Sequence, residues 1–158
     1  MKYLPLAIFC WGAACSSVFA AKTVTRQPVL TYAQSRQVAD KAENIIKGHH
    51  LGGVIAIVDR AGLPIIIERL DGATLANSEL APKKAHSAAA LGISTATFQQ
   101  KIAAGNVGLL GNPAVLPLPG GEPLSLEGVI VGAIGVSTPD GNVDSEASKA
   151  AAAALGAS

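Results

Sequence analysis

The three histidines of this 158-residue sequence are its most direct candidates for binding a metal or a metal-containing cofactor. His49 and His50 are adjacent and follow a predicted helix end, so they lack the i, i+4 spacing of a helical metal-binding pair. A solvated loop is the simpler interpretation of these two residues. His86 lies in an alanine-rich predicted helix, against which a flat macrocycle can lie. His86 is therefore a candidate metal ligand, with a surface or interface histidine as the alternative.

Two lysines and a serine accompany His86 in the same predicted helix. Lys83 and Lys84 precede it and can pair with carboxylate groups of a ligand, and Ser87 follows it. An ordinary surface ion pair between Glu79 and Lys83, which have i, i+4 spacing, explains a lysine here at least as well. The sequence thus predicts one candidate ligand-binding helix and leaves both interpretations of its lysines open.

A second candidate site is predicted where Arg69 and Asp71 flank the end of a strand. The planar fork of arginine suits carboxylates, so this region, together with the Gly120–Gly121 loop, is suited to a small organic acid. Asp71 precedes a glycine, and turn formation explains that position equally well. Hydrolase and nucleotide-binding motifs are missing: the sequence has no Gly-x-Ser-x-Gly elbow, and no Lys-Ser/Thr pair follows Gly120–Gly121.

The charge balance argues against a nucleic-acid partner. The chain has 12 basic and 11 acidic side chains, whereas phosphate-backbone binding depends on an accumulation of lysine and arginine. Single-strand binding also needs aromatic platforms, and beyond the N-terminal segment the only aromatic residues of the sequence are Tyr32 and Phe98. We therefore expect a small-molecule ligand.

Residues 1–20 have the pattern of a cleaved secretory signal. Lys2 precedes an apolar run, and the segment 18–20 offers small residues at the −3 and −1 positions. The run is too short for a membrane anchor, so we expect a periplasmic or secreted protein with no membrane insertion after cleavage. A lipoprotein site at Cys15 is the alternative, although Gly12 is a poor residue before it. Cys10 and Cys15 both lie in the signal, so the mature chain excludes disulfides and thiolate chemistry.

One domain over residues 29–158 is expected after a lead-in segment at 21–28. The pattern predicts a first helix from Tyr32 to Lys47 with a Thr31/Gln34 capping box, and a loop over 105–123, where five glycines and four prolines occur. A loop this long is usually functional or disordered. Three further helices are predicted, within 77–91, at 95–104 after a Ser94 cap, and at 145–155 after an Asp144 cap. Two hairpins are predicted, at 54–58/63–67 and at 124–126/129–136.

The first predicted hairpin determines the expected fold class. Both of its strands are apolar at consecutive positions, which indicates that both faces are covered. A hairpin-built sheet buried on two sides implies an antiparallel sheet flanked by helices. The expected fold class is therefore α/β (α+β), in a three-layer α/β/α arrangement.

Several segments, taken in their order and spacing, resemble the GlcG/HbpS-like haem-degrading domain family. The most specific are the Arg-x-Asp-Gly segment at 69–72 and the Val-Gly-Ala-Ile-Gly-Val-Ser segment at 131–137. The resemblance covers residues 29–155. Its other segments are Val58-Asp59 with Gly62, Ser78, Lys84-Ala85-His86-Ser87-Ala88, Thr95 with Thr97, Pro117-Leu118-Pro119-Gly120-Gly121 with Pro123, and Gly128.

The resemblance implies a profilin-like α/β/α domain, self-association into dimers or larger rings, and haem binding in secreted members. Other relatives are cytoplasmic; some accompany glycolate oxidation and some are fused to corrinoid adenosyltransferases. The export signal favours the haem-binding branch.

We therefore expect an exported, haem-binding homo-oligomer that supports iron-dependent haem degradation or haem and redox sensing. His86 or Ser87 would hold the iron, and Lys83 or Lys84 would face the propionates. The alternatives are an accessory enzyme or binding module for a glycolate-type acid or a corrinoid, and a purely structural oligomer module. The sequence leaves open whether the protein is an enzyme.

Overall fold

The computed structural model describes residues 26–155, which form four α-helices around one four-stranded antiparallel sheet of order β2-β1-β4-β3. The predicted fold class is confirmed, while the predicted signal at 1–20 lies outside the described residues. None of the helices within 26–155 is long and apolar enough to cross a bilayer. The elements are α1 (Tyr32–Gly48), β1 (Val54–Asp59), β2 (Pro64–Arg69), α2 (Leu75–Leu91), α3 (Thr95–Ala103), a 3-10 turn (Val107–Gly111), β3 (Gly121–Leu126), β4 (Val129–Ser137) and α4 (Gly141–Leu155).

The helix α1 begins as the sequence predicted. The Thr31 hydroxyl accepts from the backbone N–H of Gln34, and the Gln34 side chain accepts in return from the backbone N–H of Thr31. This reciprocal pair satisfies two amides that have no partner within the helix. The apolar face of α1, which includes Val38, Ala42 and Ile46, is buried against the sheet.

The helix α2 begins earlier than predicted, at a second capping box between Thr74 and Asn77. This box was missed because Asn77 takes the position that glutamate or glutamine usually holds. Pro82 lies inside the helix and removes one backbone donor there. The helix ends at Gly92, as predicted, in the left-handed conformation that glycine adopts without a steric cost.

Of two predicted helix caps, Ser94 lies at the N-cap position of α3 as predicted but does not cap with its side chain, and Asp144 is wrong. Ser94 makes no capping hydrogen bond, because its hydroxyl donates to Glu122 across 2.6 Å. Asp144 lies within the first turn of α4, which begins at Gly141. The bond typical of an N-cap comes from Asp140 instead, whose carboxylate accepts from the backbone N–H of Asn142.

The sheet separates two packing layers of different character. Alternate residues of β1 face opposite ways, with Ile55 and Ile57 in the cluster formed with α1 and α4, and Ala56 in the cluster formed with α2. The α2 layer consists almost entirely of alanine and valine. A Cβ on Gly135 would lie 2.0 Å from the carbonyl oxygen of Ala81, so the backbone of α2 rests directly on the sheet.

The edge strand β2 departs from the expectation that both faces of the first hairpin are covered. The strand β1 is buried on both faces, but Ile67 of β2 is 55% exposed. The helix α2 packs mainly over β1, β4 and β3 and leaves most of β2 uncovered. One apolar part of the sheet therefore remains open beside α2.

Candidate functional site

A cleft of about 380 Å³ occupies this uncovered part of the sheet. Its residues come from β1, the β1–β2 turn, β2, α2 and the loop segment 113–116. The pairing of β1 with β2 places residues of both strands side by side in the cleft, since Ala56 lies opposite Ile67 and Val58 opposite Pro64. The volume lies within the range of sites for small molecules and cofactors. The lining residues are Ala56, Val58, Gly62, Pro64, Ile67, Pro82, Lys83, His86, Pro113, Ala114, Val115 and Leu116.

Lys83 and His86 supply the only ionisable side chains among the twelve lining residues. They are three residues apart on α2 and therefore share one face of the helix. The Nζ of Lys83 lies 3.9 Å from a carboxylate oxygen of Glu79, which confirms the predicted i, i+4 pair at the outer limit of an ion pair. Because both side chains are mostly exposed, this pair contributes little stability and leaves the ammonium available to a ligand.

The imidazole of His86 lies against the turn between β1 and β2. A Cβ on Gly62 would lie 2.6 Å from Nδ1 of His86 and 3.1 Å from Cε1. The ring thus fills the space that a larger residue at this turn would occupy, although the histidine as a whole is exposed. Its position places one imidazole at an otherwise apolar cleft.

Ser87 is almost fully buried, and it anchors the cleft wall instead of lining the cleft. Its hydroxyl oxygen accepts a 3.1 Å hydrogen bond from the backbone N–H of Leu116. The side chain of Asn112 accepts from the backbone N–H of Ala114 and supports the same segment. The sequence indicated that the loop over 105–123 is functional or disordered, but it gave no signal that residues 113–116 form this wall.

Lys84 does not reach the cleft. Its side chain is 3% exposed, and Nζ donates to a carboxylate oxygen of Asp144 at 2.6 Å and to the carbonyl oxygen of Val136 at 2.9 Å. Asp144 also accepts from the backbone N–H of Thr138. Burial raises the pKa of Asp144, and the hydrogen bonds from Lys84 and Thr138 oppose that rise. Lys84 therefore forms an internal ion pair with Asp144 that joins α2 to α4.

Arg69 and Asp71 line a separate groove of about 310 Å³ that shares no residue with the cleft. The Arg69 guanidinium donates to the carbonyl oxygen of Ala73 at 2.7 Å, which uses part of its hydrogen-bonding capacity. The other residues of this groove are Glu43, Lys47, Leu51 and Leu70.

The Gly120–Gly121 segment, predicted to help bind an acid, packs against α2 and other parts of the domain instead. A Cβ on Gly121 would lie 2.6 Å from the carbonyl oxygen of Lys84, so close packing accounts for this glycine. The backbone N–H of Gly121 also donates to the hydroxyl of Thr95 at 2.9 Å. Neither glycine lines the Arg69 groove.

Neither of the remaining histidines belongs to a metal-binding cluster within the part of the chain that the structure describes. His49 lies 3.0 Å from Glu146 through Nε2, and exposed His50 has a positive φ of 56°. Within residues 26–155, no three side chains of histidine, cysteine, aspartate or glutamate cluster closely enough to hold a metal ion.

The fold and cleft together define an α+β domain with one apolar site that carries an imidazole and an ammonium group. A family model described as "Haem degrading protein HbpS-like" matches residues 30–153, and the chain belongs to this family. The predicted family is thereby confirmed.

Three relatives illustrate the similarity. The chain is 30% identical over 140 residues to corrinoid adenosyltransferase PduO of Citrobacter freundii, a match that covers 84% of this chain and 42% of that protein. It therefore spans about two-fifths of the length of this curated relative. A double mutant of HbpS from Streptomyces reticuli is 27% identical, with a TM-score of 0.76 and 99% of each chain covered. The PduOC–haem complex is 27% identical, with a TM-score of 0.72, 80% of this chain and 95% of the other covered.

Proposed function

We propose that this chain is an exported haem-binding protein that would hold haem in the cleft beside α2, with His86 as the residue that would bind the iron. The observation that carries this proposal is the location of one imidazole at a cleft whose other surfaces are almost entirely apolar. Haem proteins need this combination of an axial donor and an apolar pocket. The haem-complex structure of PduOC and the family match support it.

The donor set of the cleft fits haem. Ten of the twelve lining residues are apolar, glycine or proline, which suits the macrocycle, and the Lys83 ammonium suits a propionate. Lys84 is committed to Asp144, so we assign the propionate contact to Lys83 alone. We assign the iron contact to His86, because Ser87 is 1% exposed and does not line the cleft.

Bound haem supplies the iron chemistry that either haem degradation or redox sensing requires. The contribution of this chain is to orient the group, to exclude water from one side of it and to neutralise a carboxylate. No residue of the cleft other than Lys83 and His86 can exchange a proton. Among the residues that line the cleft, these two groups are therefore the candidates for acid–base participation.

Self-association is part of the same proposal. Ile67, which lines the cleft, is 55% exposed, Leu63 in the adjoining turn is 63% exposed, and β2 is an edge strand. Apolar residues on an exposed edge favour pairing with another chain. A second copy that covers this edge would enclose the cleft.

Export is tested separately, by the N-terminal sequence of the protein recovered from the native host, where cleavage after Ala20 is expected.

Haemin titration followed by absorbance tests the site. The wild-type protein is expected to shift the Soret band, and His86→Ala is expected to change the position of the band. His50→Ala removes a histidine outside the cleft and should leave the wild-type spectrum, which makes it the matched control. A wild-type protein without a Soret shift contradicts haem binding, and an unchanged spectrum for His86→Ala contradicts His86 as ligand.

The separate groove supports a second candidate function, the binding of a small organic acid through Arg69. The observation that favours it is Arg69 in a surface groove, where Lys47 is already paired with Glu43 and leaves the guanidinium as the group that would bind an acid. Thermal-shift measurements with glycolate test this function. Stabilisation by glycolate that Arg69→Gln removes, with no haem response, would favour this candidate over haem binding.

A further inference from the structure

We infer that Gly62 is a positioning residue for His86: the turn between β1 and β2 presents a surface without a side chain, and the imidazole rests on it with one nitrogen directed away. This inference rests on the proposed function, because it assigns the turn a role in presenting the axial ligand. Gly62 would act on the proposed haem site through His86, without contacting the iron itself.

The turn is a rigid support. The Asp59 carboxylate accepts from the backbone N–H groups of Ala61 at 2.8 Å and Leu63 at 2.9 Å. The backbone N–H of Gly62 donates to the carbonyl oxygen of Asp59 at 3.0 Å, and that of Asp59 donates to the carbonyl oxygen of Leu63 at 2.8 Å. Four hydrogen bonds within five residues therefore fix where Gly62 lies.

The approach of His86 to this support is directional. The three ring atoms nearest to a Cβ on Gly62 would be Nδ1 at 2.6 Å, Cε1 at 3.1 Å and Cγ at 3.6 Å. The turn therefore blocks the Nδ1 edge of the ring, and Nε2 lies farther away. An imidazole with one edge blocked by protein binds a metal through its other nitrogen. The geometry points to Nε2 as the nitrogen presented to a ligand.

A backbone requirement alone also accounts for glycine at this position, since its φ is +81°. The second hairpin provides a control for that explanation. Gly128 lies in the turn between β3 and β4 at a φ of +77°, and a Cβ there would meet nothing within 4 Å. Substitution of Gly128 by alanine therefore imposes nearly the same backbone strain without displacing an imidazole.

The first experiment uses the haem-free protein and measures the ring resonances of its histidines by ¹H–¹⁵N NMR, with His86 assigned by its absence in His86→Ala. Gly62→Ala is expected to shift the His86 ring signals, whereas Gly128→Ala is expected to leave them at their wild-type positions. Unchanged His86 signals in Gly62→Ala, or an equal shift in both variants, would overturn the inference.

The second experiment titrates the same proteins with haemin. Gly62→Ala is expected to lower haemin affinity by about 10- to 100-fold, the usual effect of disturbing a group that orients a metal ligand, and to move the Soret band toward that of His86→Ala. Gly128→Ala should bind as the wild type does. In the His86→Ala background, Gly62→Ala should cause no additional loss, because the ring that it displaces is gone.

The outcomes separate this inference from the proposed function. Wild-type affinity and spectrum in Gly62→Ala, while His86→Ala changes both, overturn the inference and leave His86 as ligand. An unchanged spectrum in His86→Ala overturns the ligand assignment and the role of Gly62 with it. Should Gly62→Ala fail to fold, the pair Gly62→Asn and Gly128→Asn replaces it, because asparagine tolerates positive φ and still carries a Cβ.

Discussion

Two adjacent lysines of α2 lie in opposite surroundings. Lys83 is 63% exposed at the mouth of the cleft, whereas Lys84 is 3% exposed and bound to Asp144. Successive residues of a helix point about 100° apart, so one of them faces solvent while the next faces the sheet. The same division separates His86, at the cleft, from Ser87, behind it. Residue type therefore says less about function here than the helix face does.

The two faces also differ in what an ionic group contributes. An exposed ion pair such as Lys83–Glu79 contributes between zero and about 1 kcal/mol, because water and salt screen it. The loss of one partner from a buried pair leaves an uncompensated charge inside the protein. The cleft face of α2 is thus free to serve a ligand, and the buried face holds the fold together.

The largest expected effect comes from breaking the buried pair. Lys84→Met leaves the Asp144 carboxylate buried without its cation, and we expect a loss of about 3–5 kcal/mol in the free energy of unfolding. Denaturant unfolding measures this loss. Lys83→Met is the matched control, and it should change the free energy of unfolding by less than about 0.5 kcal/mol. Equal losses in the two variants would show that the proposed division between the faces is wrong.

A smaller effect is expected at the serine behind the cleft. Ser87→Ala removes the acceptor for the backbone N–H of Leu116, which should cost about 1–2 kcal/mol and loosen the cleft wall. Hydrogen exchange at the Leu116 amide should become faster. Ser78→Ala, on the exposed first turns of the same helix, should not change that exchange rate. Unchanged protection at Leu116 in Ser87→Ala would contradict a wall anchored by Ser87.

On the cleft face, ligand affinity should change without a change in stability. Lys83→Gln removes the ammonium that we assign to a propionate, and we expect haemin affinity to fall by up to about fivefold, the equivalent of about 1 kcal/mol for an exposed ion pair. Absorbance titration measures the affinity, and Lys101→Gln on α3 is the control outside the cleft. An identical affinity for the two variants would remove Lys83 from the site.

The elements that the sequence predicted well are those whose signals are local. The Thr31/Gln34 capping box at the start of α1 and Gly92 after α2 lie within a few residues of the boundaries they determine. The first hairpin follows from its two apolar runs, which are close together in the sequence, so a local pattern is enough to predict it.

The elements and contacts that were missed depend on partners far along the chain. Ser94 was predicted to be a cap, but Glu122 competes for its hydroxyl from 28 residues away. Lys84 was one of two lysines predicted to face a propionate, but Asp144 binds it from 60 residues away. The wall at 113–116 contains no charged or aromatic residue to draw attention to it, and only its contact with Ser87 places it at the cleft.

The carboxyl group of Glu122 is half-buried, and its exposure therefore lies between that of exposed Lys83 and that of buried Lys84. It provides the test with the smallest expected effect. Burial raises the pKa of Glu122, while the hydrogen bond from Ser94 and the charge of Lys149 oppose the rise. Because the folded state binds this proton more tightly than the unfolded chain does, the contribution of Glu122 to stability is present at acid pH and is lost as the pH rises through the raised pKa.

Glu122→Gln lacks this loss, so between pH 4 and pH 7 it should gain stability relative to the wild type. The half-exposed position keeps the gain below about 1 kcal/mol. Denaturant unfolding at both pH values measures it, and Glu79→Gln on the exposed face should show no such gain. Parallel pH profiles for wild type and Glu122→Gln would mean that partial burial is too weak here to perturb a charge, and that the contrast between the two lysines requires full burial.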